Sequence, residues 1–164
     1  MEKMLIQSQP IKNWTLVETV IAVGNTRIPI QDQPMLKSYA GHKVVIKGIE
    51  LITAKGLTHG VLNSAANITR ADLIKTVLVL YCNGWEQVQY LPLSRLIGLH
   101  DADATTATTV PFMDQPTFFE NLSDVDWTKS YFLTANGQSI ATAGVIMLGV
   151  QYQVFNDQGQ ETRP

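Results

Sequence analysis

The chain has 164 residues, enough for one well-buried core and too few for two. Charged residues make up only 16% of it, against a typical share of roughly 25%, and small or neutral polar residues take their place. A net charge of −2, with the twelve basic residues scattered, speaks against a dedicated phosphate-backbone binder, and the lone cysteine, Cys82, excludes a disulfide scaffold.

The opening residues are polar and include Pro10, so residues 1–13 are read as an extended arm, residues 14–155 as one domain and residues 156–164 as a polar tail. The opening has no apolar stretch of signal-peptide length. The most apolar segment, residues 143–150, falls well short of the roughly 20 residues of a membrane helix. The expectation is a chain made in a cytoplasm, without export or a transmembrane helix. Asn13, Asn67 and Asn121 each begin an Asn-x-Ser/Thr triplet, and in a Thr-rich chain these are read as coincidence.

Residues 14–23 (WTLVETVIAV) are rich in β-branched and aromatic types, and Gly24-Asn25 then turns the chain. Pro29 forces Ile28 into extended geometry. Residues 42–53 (HKVVIKGIELIT) read as a strand whose alternation breaks at Gly48, the expected place for a bulge. Residues 55–68 read as a loop, and residues 69–72 as a helical turn.

Residues 73–82 (LIKTVLVLYC) and 85–91 (WEQVQYL) flank Asn83-Gly84, a pair suited to a type I′ hairpin turn with both residues at positive φ. The first of these strands is apolar on both faces, so its outward face calls for a cover from a loop, a helix or a neighbouring subunit. Residues 92–99 suggest one helical turn, 101–110 a small-residue loop and 112–126 irregular structure. Residues 127–135 read as a strand, with Asn136-Gly137 as a second hairpin turn. Residues 139–155 alternate with a period of two over a length that calls for a bend near Gly144 or Gly149. The sum is all-β: a two-sheet antiparallel β-sandwich, jelly-roll-like, with an extended N-terminal arm.

No chemistry is spelled out. His42, His59 and His100 fall in separate segments without metal-ligand spacing. Asp101 and Asp103 lack the glycine and terminal glutamate of a calcium loop. Asp124 and Asp126 are read as turn or cap residues, with cation binding at a subunit contact as the alternative. Ser94 and Ser130 have no local histidine, and Cys82 lies in an apolar run as a buried hydrophobe. Lys37, His42, Lys43 and Lys47 form the densest basic group, read as a solvated strand face. Trp14, Trp85, Trp127, Tyr90 and Tyr131 could form a sugar-stacking platform, but core or interface packing is the commoner use. No residue is therefore read as catalytic, cofactor-binding or metal-ligating.

The Ile28–Gln33 segment before the Lys43–Ile52 strand, the hairpin at Asn83-Gly84, the Asp126–Tyr131 segment and the long closing strand share a layout. Over about residues 14–155, that layout resembles the single jelly-roll capsid proteins of tailless icosahedral bacteriophages, especially those with an internal membrane. The resemblance implies a non-catalytic virion subunit, of major or vertex type, that assembles with itself and with other capsid proteins. Its arm would reach neighbours or a membrane-side virion protein, with no direct nucleic-acid contact. The alternative reading is a ligand-binding β-sandwich for a glycan or receptor.

Overall fold

The computed structural model describes residues 13–51, 70–84, 88–96 and 122–162. The arm except for Asn13, the loops expected at 55–68 and 101–110, and with them His59, His100, Asp101, Asp103, Trp85, Asn67 and Asn121, lie outside these residues.

Nine strands and one short helix follow in chain order among the described residues. They are β1 (Asn13–Ile21), β2 (Arg27–Pro29), β3 (His42–Leu51), α1 (Arg70–Ile74), β4 (Thr76–Leu80), β5 (Gln89–Pro92), β6 (Leu122–Ser123), β7 (Tyr131–Thr134), β8 (Gly144–Asn156) and β9 (Glu161–Thr162). Short 3-10 turns stand at Pro34–Leu36 and Leu93–Arg95.

The pairing obeys one rule. β1 pairs with β8, β2 with β7, β3 with β6 and β4 with β5, always antiparallel. The chain is thus a single antiparallel ribbon, doubled back between β4 and β5. Wrapping the ribbon brings β8 against β3 and β7 against β4. Two sheets result, ordered β1-β8-β3-β6 and β2-β7-β4-β5, with β9 added to β8. This is the strand order of a jelly roll, and the expected all-β two-sheet sandwich is the fold.

Burial follows from alternation. In β8, Ile146, Leu148, Val150, Tyr152 and Val154 point inward and are nearly fully buried. They join Leu78, Leu80, Phe132 and Trp127 in one core cluster. Each such side chain contributes about 1.5–3 kcal/mol on leaving water. β3 contributes Val44 and Ile46, then Ile49 and Leu51, so its buried positions change from even to odd numbers. The cause is a bulge: Ile46 pairs with Tyr152 and Gly48 with Gln151, leaving Lys47 as the extra residue. Without that insertion, Ile49 and Leu51 would face solvent. The bulge expected at Gly48 is there.

Several local expectations are corrected, each because a tertiary hydrogen bond outcompetes a propensity. The strand expected over 73–82 begins only at Thr76, because Leu73 and Ile74 belong to α1. α1 is tied down by Asp72, whose carboxylate is fully buried and accepts the Ala141 and Thr142 N–H groups at 2.9 Å each. Those bonds also explain why the closing strand starts at Gly144 rather than residue 139. The strand expected from Trp127 starts at Tyr131, because residues 127–129 turn over the Asp126 side chain.

Both Asn-Gly turns differ from expectation. At the first, β4 and β5 do form a hairpin, but Gly84 alone has positive φ (+81°), so the turn is not type I′. Asn83 donates its N–H to the Asp124 carbonyl, and Cys82 bridges Val125, so the segment after β6 holds the turn. At the second, Gly137 does turn the chain (φ +73°), but β7 and β8 belong to different sheets, so no hairpin forms.

The segment expected to be irregular contains β6, paired to β3. The polar tail is held in place as far as residue 162. The Asn156 side chain accepts the N–H groups of Gln158 and Gln160, Gly159 takes positive φ (+73°), and β9 returns along β8.

Candidate functional site

The residues singled out for chemistry are held in separate structural roles. Ser130 is buried: its hydroxyl donates to the Asp126 carbonyl at 2.8 Å and accepts the Tyr81 N–H at 3.1 Å. Asp126 Oδ1 accepts the Thr128 hydroxyl at 2.6 Å and the N–H groups of Thr128 and Lys129, while Oδ2 meets Lys129 Nζ at 3.2 Å. The Thr128 hydroxyl first, and then Lys129, hold the Asp126 carboxyl below the usual carboxylate range. Asp124 sits at positive φ (57°) with Lys43 at 3.9 Å. The turn role expected of this pair is what the geometry provides.

Cys82 is buried, and burial, with a smaller effect from the Asp124 charge, pushes its thiol up. A thiol so placed is a poor nucleophile. Among the described residues no group of three His, Cys, Asp or Glu side chains is placed to hold a metal ion.

The aromatic residues do not form one platform. Trp127 is fully buried in the core. Trp14 lies on the outward face of the β1-β8-β3-β6 sheet, while Tyr90 and Tyr131 belong to the other sheet.

Three surface features stand out. The first is an open cleft of about 720 Å³ beside the start of β3, walled by Tyr39, His42, Lys43, Lys47, Asp124 and Asp157. His42 stacks on Tyr39 with ring centroids 4.6 Å apart, and its buried Nδ1 has no hydrogen-bond partner. The basic group seen in the sequence is therefore only partly gathered, and two carboxylates share its cleft.

The second is the outward face of the β2-β7-β4-β5 sheet. Val79 is fully buried yet stands outside the core cluster, with Tyr90 and Tyr131 directly across from it on the two neighbouring strands. Pro92, Val77 and Leu133 form the adjoining row. Arg27 caps Tyr131 at 3.9 Å and Lys129 caps Tyr81 at 4.7 Å. This face is apolar and aromatic with cations at its margin.

The third is the outward face of the other sheet, where Trp14 and Val20 are exposed and the indole N–H donates to Glu50 at 3.2 Å. Sequence reasoning missed Asp72, the buried carboxylate that joins α1 to the segment before β8. Its position in a polar run gave no sign that residues almost seventy places away would supply its partners.

No family model, curated protein or solved structure matches this chain.

Proposed function

We propose that the chain is a capsid subunit, a non-catalytic brick in an icosahedral virion shell of the tailless-bacteriophage kind. One observation carries the reading: the doubled ribbon wraps into a complete jelly roll, an architecture used by viral capsid, lectin and cupin domains. Within that set, the packing favours the shell. The space between the sheets is filled by Trp127, Phe132, Leu78 and Ile146, which suits a building block better than a ligand-binding barrel. The outward face of the β2-β7-β4-β5 sheet carries Tyr90, Tyr131, Val77 and Pro92 with charge only at its margin, as surfaces that meet other protein do. Partners on this reading are further copies and other capsid proteins.

The test is to express the full chain and follow assembly by sedimentation and negative-stain electron microscopy. Capsomers or closed particles are the expected result. A chain that stays monomeric at every concentration, and forms no particle, overturns the proposal. Specific binding on a glycan array that is lost with Trp14→Ala would instead support the ligand-binding reading.

A further inference from the structure

The outer strands of the sandwich are not alike, and the two-residue β9 shares the β1 edge beyond Asn13. β6 is two residues long, β2 is three residues ending at Pro29, and β5 is four ending at Pro92. Shortness and proline are the means by which natural sheets blunt an edge. β1 has neither. It runs for nine residues without proline or lysine, and its one charge is Glu18. All nine residues pair with β8 on one side, and among the described residues no strand or main-chain group meets the other side. A row of open N–H and C=O groups is recognised by an extended chain, so the partner is itself a β-strand.

We infer that β1 pairs antiparallel with β1 of a second copy of this chain, about a two-fold axis at Val17, merging two sheets into one. The strand is self-complementary in that register. Trp14 and Val20 are 47% and 77% exposed, share the outward face and lie at opposite ends of β1. A two-fold sets each Trp14 across from Val20 of the other copy, twice over. Glu18 then faces Leu16, whereas a register that placed Glu18 across from Glu18 would oppose like charges. On the inward face, Thr19 comes across from Thr15 of the other copy. The contact is isologous and closed. It goes beyond the capsid reading, because a β1 pair can form whether or not the copies close into a shell.

Val20→Lys in the full chain tests it, since a lysine on the edge opposes pairing and Val20 is too exposed for the change to disturb the fold. Analytical ultracentrifugation is expected to show the two-fold pair dissociating at least tenfold more readily, with the thermal midpoint of the separated chain unchanged. A nitroxide at Val20→Cys gives an independent readout. Positions 20 of the two strands lie six residues apart along the joint, a separation of about 20 Å at roughly 3.3 Å per residue. Self-association unchanged by Val20→Lys, a spin–spin distance far from this value, or a strictly monomeric chain would each overturn the inference. Particles that assemble normally despite Val20→Lys would leave the capsid proposal standing and remove the β1 contact. Pairs through β1 without any particle would do the reverse.

Discussion

The indole of Trp14 reaches Glu50 across an intervening strand. Trp14 is on β1 and Glu50 on β3, yet Nε1 donates to Glu50 Oε1 at 3.2 Å over the backbone of β8. The crossing is possible because the β8 residue beneath is Gly149. A Cβ there would lie 2.8 Å from Glu50 Cγ and Oε1 and 2.9 Å from Trp14 Nε1. The glycine thus serves as a saddle for two side chains.

Gly149→Ala should accordingly break the Trp14–Glu50 hydrogen bond and cost about 1–2 kcal/mol, the scale of a forced local rearrangement with one lost hydrogen bond. Urea denaturation measures the loss, and Trp14 emission should shift as the indole moves. Equal stability and an unshifted spectrum would show that the saddle has no role.

Asp72 anchors α1 to the segment before β8. It is fully buried, accepts the Ala141 and Thr142 N–H groups at 2.9 Å each, and meets Lys75 Nζ at 2.7 Å. Asp72→Ala removes these acceptors together and leaves a half-buried lysine uncompensated, so the expected loss is about 3–5 kcal/mol. Asp72→Asn retains one oxygen acceptor and should lose less. Denaturant midpoints for the two variants decide it: an Ala variant as stable as wild type would refute the anchor.

The acid limb of stability should include Asp126. Its folded-state carboxyl is held low, first by the Thr128 hydroxyl and then by Lys129. A group depressed on folding stabilises the native state above its unfolded value and loses that effect as pH falls through its folded value. Asp126→Asn should therefore weaken the protein at neutral pH, and the gap to wild type should close on acidification. Parallel denaturation curves for the two proteins across that range would contradict the assignment.

Cys82 titrates the other way. Burial, and to a smaller degree Asp124, raises its thiol. The linked stability is present below the unfolded thiol value and is lost as pH rises through the folded one. The native protein should resist a thiol reagent, and labelling should proceed at the rate of opening. Rapid stoichiometric labelling without denaturant would show the site to be accessible.

Trp127→Ala should empty a large volume in the middle of the core, since this indole is fully buried. A loss of about 3–5 kcal/mol is expected, measured by denaturation.

Much of this architecture is carried by local order along the chain. The period of two in β8 assigns Ile146, Leu148, Val150, Tyr152 and Val154 to the core, and Gly48 announces the bulge in β3 that moves burial from Ile46 to Ile49. Both are legible because side-chain direction in a strand depends only on position along it. Strand boundaries were less legible. Leu73 and Ile74 look like strand residues and are helical, and Asn136-Gly137 looks like a hairpin and is a crossing between sheets. In each case a distant partner decides.

The sequence alone thus determined that the chain is all-β, and which residues of its longer strands are buried. Only the tertiary structure decided the pairing of β1 with β8 through β4 with β5, the closing of Asp72 onto residues 141 and 142, and which edge stays open among the described residues. Alternation specifies the face a residue occupies, whereas strand partners are chosen by contacts across the whole chain, and no local pattern encodes those.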